Sequence, residues 1–243
     1  MKVPRSWSLP ETIQQRLGQK SAGKQRAMVA EGHLLLILHQ APKQGKRGDR
    51  EGAFFWRKPN GEWTSTQRGQ GLQSLKKHIE AYATTAEELT RRYEKAKSSV
   101  DYFAILKELT PLHRAAQNSH AALQTAREGI PDDRNIIDLR DRAAEIERTL
   151  ELLYLDSKSA LDFTIAQQTE EQSQLSLQSL RAAHRLNILA AIFFPLTAIS
   201  CAFGMNLPTG FEGAPMGFFW LVFLGGIALG FWVRRWVVTG KWF

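Results

Sequence analysis

Leu186-Asn187-Ile188-Leu189-Ala190-Ala191-Ile192-Phe193-Phe194-Pro195-Leu196-Thr197-Ala198-Ile199-Ser200-Cys201-Ala202-Phe203, running into Gly204-Met205-Asn206, holds no charged side chain over its whole length. With the tripeptide it reaches about 20 residues, enough for an α-helix to cross ~30 Å of hydrocarbon. A loop, Leu207-Pro208-Thr209-Gly210-Phe211-Glu212-Gly213-Ala214-Pro215, separates it from a second apolar run, Met216 to Val233, that stops at Arg234-Arg235. The pattern predicts a transmembrane hairpin over 186–243 with an external loop at 206–215, which places Gly204-Met205-Asn206 at the rim of a bilayer.

Charge sets the expected orientation. Arg181, His184 and Arg185 precede the hairpin and Arg234, Arg235 and Lys241 follow it, whereas the loop holds only Glu212. Basic residues are retained on the cytoplasmic side, so both termini are expected in the cytoplasm of a multi-pass protein of the inner (plasma) membrane. Met1 to Leu17 lacks the apolar core of a signal peptide.

Bulk composition hides this. A mean hydropathy of -0.30 averages a polar first part with an apolar tail. The net charge of +8 would elsewhere suggest nucleic acid. Its densest stretch, Lys43-Gln44-Gly45-Lys46-Arg47-Gly48-Asp49-Arg50, reads as a solvated Gly-containing loop, with attraction to anionic headgroups as the other reading, because no aromatic stacking platform accompanies it. The single cysteine, Cys201, excludes an intrachain disulfide or a cysteine metal cluster. Inside the first span it is either a small packing residue or a thiol facing a pore.

Upstream, residues 1–130 read as a small α+β cytoplasmic domain. His33-Leu34-Leu35-Leu36-Ile37-Leu38-His39 is a short apolar run, and Ala53 to Arg57 and Glu62 to Thr66 flank Lys58-Pro59-Asn60-Gly61. Asn-Gly between aromatic-rich segments is a hairpin signal, so a sheet of about three strands is predicted over 28–66. From Leu72 the apolar residues Leu75, Ile79, Tyr82, Leu89, Tyr93, Val100, Phe103, Leu106 and Leu109 follow helical spacing, with an interruption expected at Pro111 and a further helix ending at Gly129. Pro131-Asp132-Asp133 starts the next helix, since proline and acids suit a first turn. No Gly or Pro then appears before Pro195. One helix from Asp132 to about Met205 would be roughly 110 Å long. It reads as a stalk, 131–185, that enters the membrane as the first span; two helices breaking near Asp156-Ser157 are the alternative. The fold class is a mostly α membrane protein.

Two spans per chain cannot enclose water, so any pore needs several copies. With Gly204 on its axis, helical spacing adds Cys201, Thr197, Phe194, Ala190, Leu186 and Ala183 to the same face. That wall offers the Thr197 hydroxyl and the Ala191 carbonyl that Pro195 frees, with Phe194 as a hydrophobic constriction. The other reading turns Phe194 to lipid and leaves only Thr197 on the axis. Ser179, Ser176, Gln172 and Thr169 continue the face as a polar, uncharged funnel or as ordinary solvated surface. An enzyme is not expected. His113 and His120, spaced i, i+7, lack a carboxylate pair or cysteine to complete a metal site and read as two solvated histidines, and no Gly-rich phosphate loop is present.

Phe193-Phe194-Pro195-Leu196-Thr197, Gly204-Met205-Asn206 and Lys241-Trp242 together resemble the CorA family of divalent cation channels and transporters, and the shortened N-terminal part resembles its short-form members of the CmaX type. The resemblance implies a homopentamer in membrane lipid, lined by the first span of each chain. Passive flux of Mg2+, Zn2+, Co2+ or Ni2+ would then need no cofactor and no nucleic acid. Gly204, Met205 and Asn206 would form the selectivity filter, with Asn206 meeting the metal through its water shell; Mg2+ dehydrates reluctantly, so a ring of neutral oxygens suits the hydrated ion. Two departures concern which ion passes. The loop lacks the family's acidic Met-Pro-Glu, having Ala214-Pro215-Met216 and then Gly217-Phe218-Phe219-Trp220 as in the zinc-transporting branch. Leu180-Arg181 also stands where the family has Asn-Glu, so Arg181, His184 and Arg185 must turn towards lipid or repel cations. Asp162, Glu170 and Glu171 are the nearest candidates for regulatory metal sites, or are plain solvated surface. The alternative from another class is a membrane scaffold or sensor derived from the same family with little or no conduction.

Overall fold

A computed structural model describes residues 3–4, 6–18, 23–42, 51–67, 69, 71–204, 213 and 215–239. The chain forms two compact units, Met1–Ala166 and Gln167–Phe243. In the first, β1 (Arg26–Ala30), β2 (His33–His39), β3 (Gly52–Arg57) and β4 (Trp63–Ser65) make an antiparallel sheet in sequence order. β2 is apolar without alternation because both of its faces are covered. Leu34, Leu36 and Leu38 face the helices with Phe55, while Leu35 and Ile37 face Met28, Phe54, Trp56 and the N-terminal arm through Leu9 and Ile13 of and beside α1 (Glu11–Gln14).

The sheet has four strands where about three were expected over 28–66. The additional one, β1, is folded back by a two-residue turn in which Glu31 and Gly32 have φ of 52° and 72°. Two positive φ values give the twist a tight hairpin needs. The Asn60-Gly61 turn joins β3 to β4 as the sequence indicates, with Lys58 N donating to Glu62 O at 2.8 Å.

Two helices, α2 (Gly71–Lys95) and α3 (Ser99–Gly129), cover the sheet, and α4 (Arg134–Gly204) follows them. α2 ends before Ser98, which caps α3 by accepting from Asp101 N at 3.2 Å, while the Asp101 carboxylate accepts from Ser98 N at 3.1 Å. That capping box restarts the helical phase. Val100 and Phe103, expected on the apolar stripe, therefore stand 74% and 62% exposed. Pro111 does not interrupt α3, contrary to its expected effect. The ring removes one bond to the exposed Lys107 turn, whose carbonyl water can reach, and Leu109, Leu112 and Ala116 hold the helix on the core from either side.

α4 begins two residues after the expected Asp132, with Asp133 Oδ1 accepting from Asn135 N at 2.9 Å. It runs unbroken past Asp156-Ser157 for 71 residues. Its first part is core rather than free stalk: Ile136, Leu139, Ala143, Ile146, Leu150 and Leu153 are buried in one cluster with residues of α2 and α3. The boundary between the two compact units falls after Ala166, within α4. In the second unit, residues 167–204 of α4 are followed by α5 (Met216–Thr239). Both helices contain windows of mean hydropathy 2.0, long and apolar enough to cross a membrane.

Candidate ion pathway on the apolar hairpin

The contact between α4 and α5 fixes which sides of α4 remain open. α5 carries Gly226 and Gly230, one turn apart. A β-carbon on Gly230 would lie 3.0 Å from the Ile192 carbonyl oxygen, and one on Gly226 would lie 3.2 Å from Ile199 Cδ1 and 3.3 Å from Leu196 Cδ1. Small residues at i, i+4 let two backbones approach, which is how apolar helices associate where burial from water provides no drive. On α4 this seam comprises Ile188, Ala191, Ile192, Pro195, Leu196 and Ile199, all buried or half-buried. The glycine pair was legible as Gly-x-x-x-Gly within an apolar run, a signal that the span reading alone passes over.

The expected axial face lies on the opposite side. At about 100° per residue, Ala183, Leu186, Ala190, Phe194, Thr197, Cys201 and Gly204 centre roughly 180° from the seam. All are exposed except the half-buried Ala190, with Leu186 at 66% and Phe194 at 72%. The hairpin brings these residues into one column down the side of α4 away from α5. Thr197 Oγ1 donates to Phe193 O at 2.8 Å, which leaves its lone pairs as acceptors. The Ala191 carbonyl, expected as a second oxygen on this wall, is on the other side: Ala191 is 8% exposed and belongs to the α5 seam. Pro195 does free that carbonyl, but its direction follows from its position 100° steps away from Thr197 and not from the loss of the bond.

Gly204 ends α4, and a β-carbon there would meet nothing within 4 Å. Met205 and Asn206, the rest of the expected filter, lie outside the described residues, as do 207–212 and 214, Lys241-Trp242 and the basic loop 43–50. Below the apolar window, Thr169, Gln172, Ser176 and Ser179 are exposed along α4. Arg181, His184 and Arg185 fall on the α5-facing side and not in the axial column, as helical spacing from Ile188 requires.

Acidic candidates on α4 are engaged along their own helix. Glu170 accepts from Gln174 Nε2 at 3.0 Å and Glu171 from Gln167 Nε2 at 3.2 Å, and Asp162 is exposed. Among the described residues no three His, Cys, Asp or Glu side chains converge to hold a metal ion. His113 and His120 are not the solvated pair expected. His120 Nδ1 lies 2.5 Å from Glu147 Oε2, and the His113 ring stacks on Tyr154 with centroids 6.0 Å apart, so both tie α3 to α4.

The first unit holds one buried polar cluster with no sequence motif to announce it. Tyr82 Oη donates to His39 O at 2.6 Å, and His78 Nε2 shares that acceptor at 2.9 Å. Nδ1 of His78 is then left to accept from Gln67 Nε2 at 3.2 Å. Burial holds His78 neutral, with its pKa down to about 4, and pushes the Tyr82 phenol up. Both groups keep their protons where they are and bind the end of β2 to α2, a structural task.

A family model described as CorA-like Mg2+ transporter protein matches residues 62–238. Solved structures similar to the chain include the CorA magnesium transporter from Methanocaldococcus jannaschii, at 14% identity over 96% of this chain and 84% of that one with a TM-score of 0.48. The full-length CmaX protein is 15% identical over 96% and 83%, with a TM-score of 0.55. The cytoplasmic domain of ZntB from Vibrio parahaemolyticus RIMD 2210633 is 14% identical over 67% and 80%, with a TM-score of 0.49. The likeness to CmaX concerns the fold. No curated protein matches the sequence.

Proposed function

The chain belongs to the family of CorA-like Mg2+ transporter proteins, whose model spans residues 62–238, and from that premise we propose that it is a passive divalent-cation channel. That match carries the reading, because it takes in both apolar helices and the junction at Gly204. Five copies would surround a pore with the α4 column from Ala183 to Cys201 on the axis. The open side of α4 supports this arrangement, since α5 occupies the reverse side. Gly204, Met205 and Asn206 would ring the outer mouth, Asn206 holding the water shell of Mg2+ or Zn2+ without stripping it. Phe194 would form the constriction that water leaves and re-enters as the pore closes and opens. Placing Arg181, His184 and Arg185 towards the α5 side would keep fixed positive charge out of the conduction path.

The test is uptake into proteoliposomes by the purified full-length protein. Mg2+, Zn2+, Co2+ or Ni2+ is expected to enter without nucleotide and faster with an inside-negative potential, which drives a divalent ion by about 4.6 kcal/mol per 100 mV, twice the single-charge value. Asn206→Ala is expected to remove most of that flux and leave the oligomer intact. A wild-type protein that assembles but passes none of these ions is instead a membrane scaffold or sensor.

A further inference from the structure

One end of the described hairpin gathers basic side chains with no acidic side chain near them in the sequence. After Glu171 the sequence has a single acidic side chain, Glu212 in the loop, against Arg181, Arg185 and Arg234 among the described residues. None of Arg181, His184, Arg185 and Arg234 therefore has an acidic partner within reach in its own hairpin.

These groups are also gathered. Gly230 packs on Ile192, so continuing the antiparallel pairing by one turn brings Arg234 level with Ile188. Arg185 lies about 4.5 Å further along the α4 axis, and counting about 100° per residue from the seam puts Arg185 and Arg234 on the same flank of the helix pair. Arg181 and His184 extend the basic surface along α4. With Arg185, Leu177 and Leu180 they form one open surface along α4. Leu177 and Leu180 are 51% and 65% exposed, giving that surface an apolar part beside the cations. Trp232 and Trp236 bracket the arginines of α5, the residue type that settles at the level of lipid headgroups.

We propose that this end of the hairpin binds the phosphate of an anionic phospholipid, held by Arg185 and Arg234 together with Arg181 and His184. The guanidinium groups supply paired donors to phosphate oxygens, the leucines take the start of the acyl chains, and the lipid provides the missing negative charge. The site depends on the hairpin being embedded in a membrane and not on conduction.

Native mass spectrometry of the full-length oligomer, released from detergent containing equal amounts of phosphatidylglycerol and phosphatidylcholine, reads the preference directly. Roughly tenfold more phosphatidylglycerol than phosphatidylcholine is expected to remain bound, in line with basic groups near a lipid surface. Arg185→Gln with Arg234→Gln is expected to bring the ratio close to parity. Lys76→Gln with Lys77→Gln removes the same charge from the exposed surface of α2 and is expected to leave the ratio unchanged. Equal retention of the two lipids by the wild type overturns the proposal. So does a preference that survives the arginine substitutions, one that falls equally with the lysine substitutions, or one that millimolar inorganic phosphate abolishes. If the arginine variant does not assemble, the wild-type competition with and without phosphate decides. Lipid selectivity without divalent flux counts against the channel alone, and flux without lipid selectivity counts against this site alone.

Discussion

Arg57 Nε donates to Asp133 Oδ2 at 2.5 Å, while Oδ1 of the same carboxylate caps α4 through Asn135 N at 2.9 Å. One side chain therefore joins the β3 end of the sheet to the start of the 71-residue helix. Both partners are largely buried, at 14% and 8% side-chain exposure, so removing either leaves a charge with little solvent. Asp133→Ala loses the cap and strands Arg57, and is expected to cost about 3 kcal/mol. Asp133→Asn keeps an oxygen for the cap and is expected to cost less than half of that. Thermal unfolding of the full-length protein in mild detergent ranks them; equal melting temperatures for the two variants would mean that the cap contributes nothing separable.

His78 provides a pH test with a definite sign. Its folded pKa, about 4, lies below the ordinary value of 6.5 because burial disfavours the cation. The contribution of the neutral ring is thus complete above about pH 6.5 and is lost as the pH falls towards 4, reaching about 3 kcal/mol at 1.36 kcal/mol per unit. His78→Gln is expected to lower stability at pH 7.5 but to flatten the decline between pH 6.5 and 4, measured as melting temperature against pH. A variant curve parallel to that of the wild type would remove His78 as the titrating group.

Gly226 and Gly230 should differ in what they tolerate. A methyl on Gly226 meets the ends of Ile199 and Leu196, which can rotate, at 3.2 and 3.3 Å. A methyl on Gly230 meets backbone, Ile192 O at 3.0 Å and Cα at 3.2 Å, which can yield only by moving a helix. Gly226→Ala is expected to change stability by less than about 1 kcal/mol and Gly230→Ala to cost about 1–3 kcal/mol. Melting in detergent compares them, and the reverse order would contradict the seam.

What the sequence discloses and what it conceals divide along physical lines. Leu186 to Phe203 and Met216 to Val233 were readable as spans because an uncharged window of that length has few other uses, and Asn60-Gly61 was readable because its turn chemistry is local. β1 escaped since Glu31 is not a residue that advertises a positive φ of 52°. Pro111 reads as a break because propensity is local, while the packing of Leu109, Leu112 and Ala116 that carries α3 through it is tertiary. The column expected on the axis follows from the spacing of α4 alone, yet which way it points needs Gly226 and Gly230, whose meaning appears only once the two helices are seen side by side.

Orientation follows from charge. Both termini are expected in the cytoplasm and Glu212 outside, because the basic residues flank the hairpin and not its loop. Cys201→Ser removes the only thiol, so Glu212→Cys in that background is expected to react with an impermeant maleimide added to intact cells. Labelling only after the membrane is opened would invert the topology.

Phe194 offers the sharpest separation of pore from lipid. It is 72% exposed on the side of α4 away from α5, a position that suits either a constriction on the axis or contact with acyl chains. A hydrophobic constriction resists ions by excluding water, so shortening it raises flux, whereas trimming a lipid-facing ring leaves flux alone. Phe194→Ala is expected to increase divalent uptake into proteoliposomes several-fold, and Thr197→Val, which removes the hydroxyl acceptor one turn further on, to decrease it. Leu189, 53% exposed on a flank about 100° from the column, serves as the control, and Leu189→Ala is expected to leave flux within about twofold of wild type, as for a surface substitution. If Leu189→Ala and Phe194→Ala act alike, the column from Ala183 to Cys201 does not line the axis. The pore face must then be sought on the flank of α4 that carries Leu189.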